Sequence, residues 1–257
     1  MSERTTTPES TTPLSDVEPH LTSLTRSCLI EQYAELATQA AHKAWSPVDS
    51  LARLAEGEAT LRRDRAPKSR MRLAHFPVIK TVEQFRWDWP THMNRLQVQH
   101  PFHLKFMQDT AHLILLGGVG LGKTHLATAL GSAACLQGSS GLCASAMDGI
   151  NTRSAAQGAG RLKAERKPYT TPALLILDEL GSLPIDKAGA DRLCHVISRR
   201  YEQGAIVMTS NRACKEWPKI LNHDSTLTAA ILDRLLPHAE TGIIEGKSFR
   251  MKDQLER

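Results

Sequence analysis

A glycine-rich segment between two apolar stretches constrains this chain more than any other feature. An apolar run, His112–Leu116, ends at Gly117-Gly118-Val119-Gly120-Leu121-Gly122-Lys123-Thr124, and Leu126–Leu130 continues with helical character. The spacing GxxxxGK[ST] is typical of a loop whose backbone N–H groups surround phosphates, because glycines let the chain curl without Cβ clashes. The sequence therefore predicts a strand, a phosphate-binding loop and a helix that directs its free N–H groups at the anion.

The end of this loop supplies side-chain chemistry. We expect Lys123 to reach the β- and γ-phosphates of a nucleotide and the Thr124 hydroxyl to ligate Mg²⁺. The alternative is a glycine-rich turn without a ligand, which the Lys-Thr pair and the flanking elements disfavour. The predicted nucleotide-binding residues are Gly117, Gly118, Val119, Gly120, Leu121, Gly122, Lys123, Thr124 and His125.

Composition limits the class of protein. The 257 residues suffice for an α/β domain and a smaller appendage, and no apolar run approaches the roughly 18 residues of a membrane span. Residues 1–27 are rich in Ser, Thr and Pro and lack an apolar signal segment, so we expect a disordered tail on a cytoplasmic protein. Five scattered cysteines disfavour a zinc ribbon or a disulfide framework. A metal site at His100 and His103 is also disfavoured, because no second ligand pair follows.

Two amphipathic helices are predicted ahead of the loop, one over Arg26–Ala44 and one from Ser46-Pro47 through Leu61. The far end of the second helix holds a cluster of cations, Arg62, Arg63, Arg65, Lys68, Arg70 and Arg72. Such a cluster can bind DNA phosphates without reading the base sequence, and the alternative is a solvated helix surface. The net charge of +5 permits a polyanionic partner without requiring one.

Residues 76–94 are predicted to link this helical region to a larger domain. Phe85, Trp87 and Trp89 lie in this segment, and burial of their rings is favoured over base stacking. A short helix is then predicted over Arg95–Gln108, before the first strand.

Strands and helices alternate after the loop. The predicted helices are Lys123–Leu136, Lys187–Gln203 and Leu227–Ala239; the predicted strands are Ala173–Leu177 and Ala205–Ser210, with weaker patterns at Leu142–Ala146 and Gly242–Phe249. This alternation implies crossover connections and a parallel sheet. A second basic patch, Arg161, Lys163, Arg166 and Lys167, precedes Pro168.

Polar side chains follow two of the predicted strands. Asp178 and Glu179 end a buried strand, at the edge where α/β sheets bind ligands. We expect Asp178 to hold Mg²⁺ together with Thr124, and Glu179 to polarise an attacking water. Asn211 ends the neighbouring strand, where it would hold that water or the γ-phosphate; its alternative role is that of a turn former.

Arg234 in the last predicted helix has two interpretations on the sequence alone. The first is a functional cation, and the second is a surface salt bridge with Asp233 or Glu240.

These motifs together resemble those of the IstB-like AAA+ ATPases of insertion sequences, which are relatives of the DnaC helicase loaders. The resemblance covers about residues 28–252, and it rests on Gly117–Thr124, Leu174–Pro184, Met208–Asn211, Ala230–Leu236 and the linker Arg72–Phe85. One departure is the segment 139–160, which is poor in large apolar residues and puts the second strand in doubt. A separate C-terminal helical lid is also not recognisable in the sequence.

The resemblance implies an AAA+ P-loop NTPase with a parallel sheet flanked by helices, preceded by a small all-α domain. It divides the chain into a tail (1–27), a DNA-binding helical domain (28–75), a linker (76–94) and an ATPase domain (95–257). It implies that Asp178 and Glu179 form the Walker B pair, that Asn211 is the first sensor, and that Arg234 is an arginine finger reaching a neighbour's nucleotide. The implied cofactors are ATP and Mg²⁺.

The implied activity is ATP hydrolysis that controls homo-oligomers on double-stranded DNA, which hand the target DNA to a transposase. The alternative is a DnaC-like loader of a replicative helicase, in which ATP mainly gates a contact between proteins.

Overall fold

The structure is a computed structural model that describes residues 20, 27–89, 92–146 and 167–251. The chain divides into two compact units, Met1–Ala66 and Pro67–Arg257. The predicted tail, apart from His20 and Ser27, lies outside the described residues, as do Arg161, Lys163 and Arg166 of the second basic patch. The predicted division into a tail, a DNA-binding helical domain, a linker and an ATPase domain stays a prediction.

Two helices come first, α1 over Ser27–Lys43 and α2 over Pro47–Leu73. The predicted start of α2 is confirmed, because the N–H of Asp49 donates to Ser46 Oγ at 3.1 Å, as expected for a serine N-cap followed by proline. The helix extends through Leu61, as predicted, and continues through the cation cluster to Leu73, with Pro67 inside it. Arg, Lys, Met and Ala all favour helix, which offsets the one backbone donor lost at proline.

The strands are β1 His92–Met93, β2 His112–Gly117, β3 Gly141–Ser145, β4 Leu174–Leu180, β5 Ala205–Ser210 and β6 Ala239–Glu245. In the described part of the chain they form one sheet in the order β1-β6-β2-β5-β4-β3. All neighbours pair in parallel except β1, which is antiparallel to β6. The predicted parallel sheet is confirmed. The strand with the weak pattern, β3, forms one edge of the sheet, and β1 forms the other.

The remaining α-helices are α3 Arg95–Gln99, α4 Lys105–Gln108, α5 Lys123–Leu136, α6 Lys187–Arg200, α7 Trp217–Ile220 and α8 Ser225–Leu235. Short 3₁₀ helices occur at Val82–Gln84, His100–His103, Cys214–Glu216, Leu236–His238 and Phe249–Met251. Over the described residues, no helix combines the length and apolar character that crossing a membrane requires.

Three predicted boundaries are corrected. The single helix over Arg95–Gln108 is broken into three short ones. Pro101 lies in the first turn of the middle one, and the buried Leu104, in a left-handed conformation (φ 58°), separates it from α4. The helix predicted to reach Gln203 ends at Arg200. The closing strand begins at Ala239 rather than Gly242, because it pairs with β2 from its first residue.

Apolar side chains cover both faces of the sheet. One cluster includes Leu113, Leu115, Leu126, Leu130 and Ile176, and the other includes Ile114, Leu175, Ile197, Ile206 and Ile231. The linker contributes Phe85 to the first cluster, with the Trp87 ring 4.8 Å away in an edge-to-face contact. The Phe85 ring is thus buried and the Trp87 ring partly buried against the core, as favoured over exposure for stacking.

A buried cation and a buried imidazole lie at the edge of the sheet where β2 and β5 begin. Arg200, only 1% exposed, donates hydrogen bonds to the carbonyls of Tyr169, Pro172, Ala173 and Ala205. Burial lowers the pKa of Arg200 to about 10. His112 is equally buried, and its Nδ1 accepts the Ile206 N–H at 3.3 Å. Burial, with added repulsion from Arg200 and His238, lowers the pKa of His112 to about 4.

This shift predicts acid sensitivity. The pKa of His112 falls from 6.5 in the unfolded chain to about 4 in the folded one. As the pH falls, His112 is protonated in the unfolded chain before it is protonated in the folded one. The contribution of neutral, buried His112 to the free energy of unfolding is therefore complete above pH 6.5 and is lost as the pH falls towards 4. At about 1.4 kcal/mol per pKa unit, the loss is roughly 3 kcal/mol.

His112→Asn keeps an acceptor near the Nδ1 position but does not titrate. We expect the free energy of unfolding, measured with urea at several pH values between 4 and 7.5, to fall less steeply with decreasing pH for this variant than for the wild type. Identical pH profiles would show that His112 does not contribute.

Candidate functional site

The glycine-rich loop curls between β2 and α5, as predicted. Gly120 and Gly122 have φ values of 77° and 86°, which L side chains rarely adopt. A Cβ on Gly120 would collide with Ser248 Oγ, and one on Gly122 would lie 2.5 Å from the Phe85 ring. The loop therefore needs glycine both for its backbone shape and for the close approach of two distant segments.

Lys123 folds back over this loop. Its Nζ donates to the carbonyls of Gly117 at 2.8 Å and Gly118 at 2.6 Å. Burial lowers the pKa of Lys123, Asp178 and Glu179 oppose that shift, and Arg250 adds to it. The ammonium is thus held at the loop by backbone oxygens, in a position from which it can turn to an anion.

Asp178 joins three elements of the site. The Thr124 hydroxyl at the start of α5 donates to Asp178 Oδ1 at 3.0 Å, and the Thr209 hydroxyl on β5 donates to the same oxygen at 2.5 Å. Asp178 is 7% exposed and Thr209 is 1% exposed. The predicted pairing of Thr124 with Asp178 is therefore present in the fold. The strand that carries Asp178, β4, is not adjacent to β2, because β5 lies between them.

Glu179 follows at a bulge in β4. Its φ is 61°, and the register with β5 shifts between Leu177 and Leu180. The backbone N–H of Glu179 donates to Thr209 Oγ1 at 2.9 Å, while its side chain is exposed. This conformation turns Glu179 away from the regular strand alternation and into the cavity beside the loop.

Asn211, the predicted sensor, lines the same cavity. Its Oδ1 is buried without a hydrogen-bond partner in the described structure. Gly181, with φ 98°, leaves the space that this amide occupies, since a Cβ there would lie 3.0 Å from Asn211 Oδ1. An unpartnered buried acceptor is costly, and a water that donates to Asn211 would satisfy it.

The cavity has a volume of about 500 Å³. Of the predicted site residues, those that line it are Val119, Gly120, Leu121, Gly122, Lys123, Thr124, His125, Glu179 and Asn211. Gly117, Gly118 and Asp178 lie just behind it, where they hold Lys123 and Thr124. Arg234 does not line this cavity, and its Nη1 donates to the Ala230 carbonyl within α8 at 2.7 Å.

Several lining residues were missed by the sequence analysis. From the linker come Pro77, Val78, Lys80, Gln84, Phe85, Arg86 and Trp89, and from elsewhere come Thr128, Ser182, Thr209, Phe249 and Arg250. The linker is attached directly to the loop helix, because His125 Nε2 donates to the Thr81 carbonyl at 2.9 Å. The aromatic content of the linker was the available signal, although it indicated burial rather than a ligand.

The side chains of Thr124 and Asp178 offer oxygen atoms as possible metal ligands. A hydroxyl and a carboxylate within hydrogen-bond distance of each other are the ligand types that Mg²⁺ prefers, so these residues fit that ion. Elsewhere, the described residues contain no cluster of three His, Cys, Asp or Glu side chains able to hold a metal. His100 pairs instead with Glu240, with 3.5 Å between Nδ1 and Oε1.

The cation cluster on α2 is not uniform. Arg62 lies 3.4 Å from Glu58, one turn earlier. Arg70 is half-buried, and its Nε donates to the Cys135 carbonyl at the end of α5, at 2.8 Å. The exposed members are Arg62, Arg63, Arg65, Lys68 and Arg72. Arg70 therefore has a structural role, and DNA binding by the cluster stays a prediction.

The sheet order, the curled loop and the acid pair define a P-loop nucleotide-binding protein of the AAA+ class. Over residues 20–257 the sequence matches the family of IstB-like ATP binding proteins. The chain belongs to that family, as its motifs predicted.

Similar proteins come from insertion sequences. The chain is 34% identical over 239 residues to a Pseudomonas aeruginosa protein named as an ATP-binding protein of IS21, covering 93% of this chain and 90% of the other. It is also 34% identical over 210 residues to one named for IS232 in Bacillus thuringiensis subsp. berliner, covering 82% and 84%.

Solved structures share the fold. DnaI superposes with a TM-score of 0.56 at 17% identity, covering 69% of this chain and 94% of DnaI. DnaA bound to AMPPCP and single-stranded DNA gives a TM-score of 0.53 at 21% identity, covering 71% and 56%. At these identities the likeness concerns the fold alone.

Replacing Lys123 tests the nucleotide site. Lys123→Ala removes the ammonium expected to contact the phosphates, so the affinity for ATP should fall by about 10- to 100-fold. Calorimetric titration of the purified protein with ATP measures this, with Lys215→Ala as a control because Lys215 is exposed and outside the cavity. Equal affinities in both variants would place the phosphates elsewhere.

Proposed function

We propose that this chain is a cytoplasmic, ATP-hydrolysing helper of transposition. ATP would control its assembly on double-stranded DNA, and the assembly would present that DNA to a transposase. The observation that carries the ATPase part is the juxtaposition of Thr124, Asp178 and Glu179 at the open end of the phosphate loop.

Each of these residues has a distinct task in hydrolysis. Thr124 and Asp178 would hold Mg²⁺, which supplies charge neutralisation at the phosphates. Lys123 would exchange its two carbonyl partners for phosphate oxygens. Glu179 would accept a proton from the attacking water, and the unpartnered Oδ1 of Asn211 would fix that water in line with the bond to be broken.

The role in transposition is supported by the relatives, which are named for insertion sequences. The exposed cations of α2 support DNA binding, because phosphate contacts by Arg and Lys give affinity without sequence preference. A helicase loader remains the competing function. It predicts a stable complex with a hexameric helicase and little affinity for duplex DNA.

Arg234 is proposed to act on a neighbouring subunit. Its absence from the lining of its own cavity is compatible with action in trans. Mixed oligomers test this, since subunits carrying Arg234→Ala and subunits carrying Lys123→Ala should together recover part of the activity. Failure of any mixture to recover activity would leave Arg234 with a local role in α8.

Electron microscopy tests the assembly directly. The purified protein should form oligomers along long duplex DNA with a non-hydrolysable ATP analogue and not without nucleotide. The same protein mixed with a replicative helicase should form no complex. The reverse result would favour the loader function.

Glu179→Gln separates hydrolysis from binding. The amide cannot accept the proton, so turnover should fall by about 100-fold or more while ATP affinity stays within a few-fold of the wild type. Phosphate release and calorimetry measure the two quantities, and the variant should remain on DNA longer once ATP is bound. Undiminished turnover would remove Glu179 from the catalytic role.

Replacing exposed cations tests the DNA surface. The triple variant Arg63→Ala, Arg65→Ala, Lys68→Ala should weaken duplex binding similarly for all sequences. The slope of log affinity against log salt should drop by about 0.9 per lost phosphate contact. A matched triple variant at Lys187, Arg199 and Lys215 changes the net charge equally, and its slope should match the wild type. Equal slopes for the two triple variants would show that the α2 cluster is a solvated helix surface that does not bind DNA.

A further inference from the structure

The segment Arg70–Phe85, which leads out of α2, follows helix α5 from its last turn to its first. Both belong to the unit Pro67–Arg257. At the last turn of α5, Arg70 Nε donates to the Cys135 carbonyl at 2.8 Å. Carbonyls at this end of a helix carry partial negative charge, so a cation there is favourable. The end of α2 is thus fixed to the end of α5.

Beyond Arg70 the chain packs between α5 and the edge strand β3. Ala74 is fully buried, and its carbonyl accepts the Cys143 N–H of β3 at 2.7 Å. The Phe76 ring lies against Gly131 of α5, so closely that a Cβ on Gly131 would lie 2.6 Å from the ring. The middle of α5 is therefore held by the same segment.

The segment ends at the first turn of α5, beside the phosphate loop. The Thr81 carbonyl accepts the hydrogen bond from His125 Nε2, and the Phe85 ring meets the His125 ring edge to face at 5.5 Å. A helix of 14 residues is about 21 Å long, and these contacts span it from end to end. Because Lys123 and Thr124 begin this helix, their position depends on where the segment holds α5.

The last turns of α2 carry cations on two faces. Lys68 and Arg72 are exposed and lie one turn apart, so they share a face. Arg70 is two residues from each of them and therefore lies on the other side of the helix, half-buried against α5. A polyanion bound at Lys68 and Arg72 would thus contact a helix whose opposite face holds α5.

We propose that duplex DNA at Lys68 and Arg72 and ATP at the phosphate loop each strengthen the binding of the other through Arg70 and α5, an inference that rests on the proposed binding of both ligands. Coupling between distant sites travels through contiguous packed elements, and its size is the same in both directions. Arg70 is a positioning residue in this scheme, because it contacts α5 rather than either ligand.

Replacing Arg70 tests this transmission. The measured quantity is the ratio of the affinities for a non-hydrolysable ATP analogue with and without saturating duplex DNA that is short enough to hold one chain. In the wild type this ratio should be about fivefold or more, and Arg70→Met, which keeps the stem but loses the donor, should bring it below about twofold. Arg70→Lys should lie in between, because it keeps the charge but not the Nε–H.

Arg199→Met is the matched control. It removes the same charge from an exposed position on α6, outside the segment Arg70–Phe85 and outside the cavity lining, so the ratio should stay at the wild-type value. Thermal unfolding and the affinity for the analogue without DNA are measured for every variant. A purely structural role of Arg70 would lower one or both of these quantities and leave the ratio unchanged.

An unchanged ratio in Arg70→Met, or an equal loss in Arg199→Met, would overturn transmission through Arg70. If Arg70→Met does not fold, Arg70→Lys decides alone, and a wild-type ratio in that variant overturns the proposal. A wild type that binds both ligands with a ratio of one would overturn the coupling and leave the proposed function standing. A wild type that binds no ATP analogue or no duplex DNA would instead refute the proposed function itself.

Discussion

The site depends on one carboxylate that accepts two hydroxyl hydrogen bonds. Asp178 is almost fully buried, and a buried anion without partners is strongly unfavourable. Thr124 and Thr209 provide those partners from the loop helix and from the adjacent strand. The same two bonds therefore satisfy the charge and fix the distance between the phosphate loop and the ends of β4 and β5. Loss of either hydroxyl would leave this buried carboxylate with one hydrogen bond fewer, which is unfavourable.

Thr209 also explains why Glu179 departs from the strand. Its hydroxyl oxygen accepts the Glu179 N–H while its proton goes to Asp178, so one side chain serves as both acceptor and donor. A left-handed conformation at a non-glycine residue is unfavourable, and this hydrogen bond helps to hold it. Strain at Glu179 is thus tied to the placement of the acid proposed to act on water.

The elements predicted best from the sequence are those with local signals. Helix α5 begins and ends as predicted because Gly122 and Gln137-Gly138 punctuate a continuous apolar stretch, and β5 was found because its residues are apolar and β-branched. Leu104 was mispredicted, since tertiary burial overrides helix propensity there.

The roles of Thr209 and the cavity wall at Phe249 could not be predicted, because they depend on which distant segments meet, and a single sequence carries no local sign of that. The acid pair was predicted from its place at the carboxyl end of a buried strand, whereas the strand order that brings Asp178 to Thr124 was not predicted.

The sheet order has a consequence for how the protein is made. Both neighbours of β2, the strand that carries the phosphate loop, lie later in the chain: β5 ends at Ser210 and β6 at Glu245. A nascent chain that has emerged only to His238 leaves one long edge of β2 unpaired, and exposed strand edges invite association with other chains. The domain therefore cannot complete its central pairing until β6 has left the ribosome.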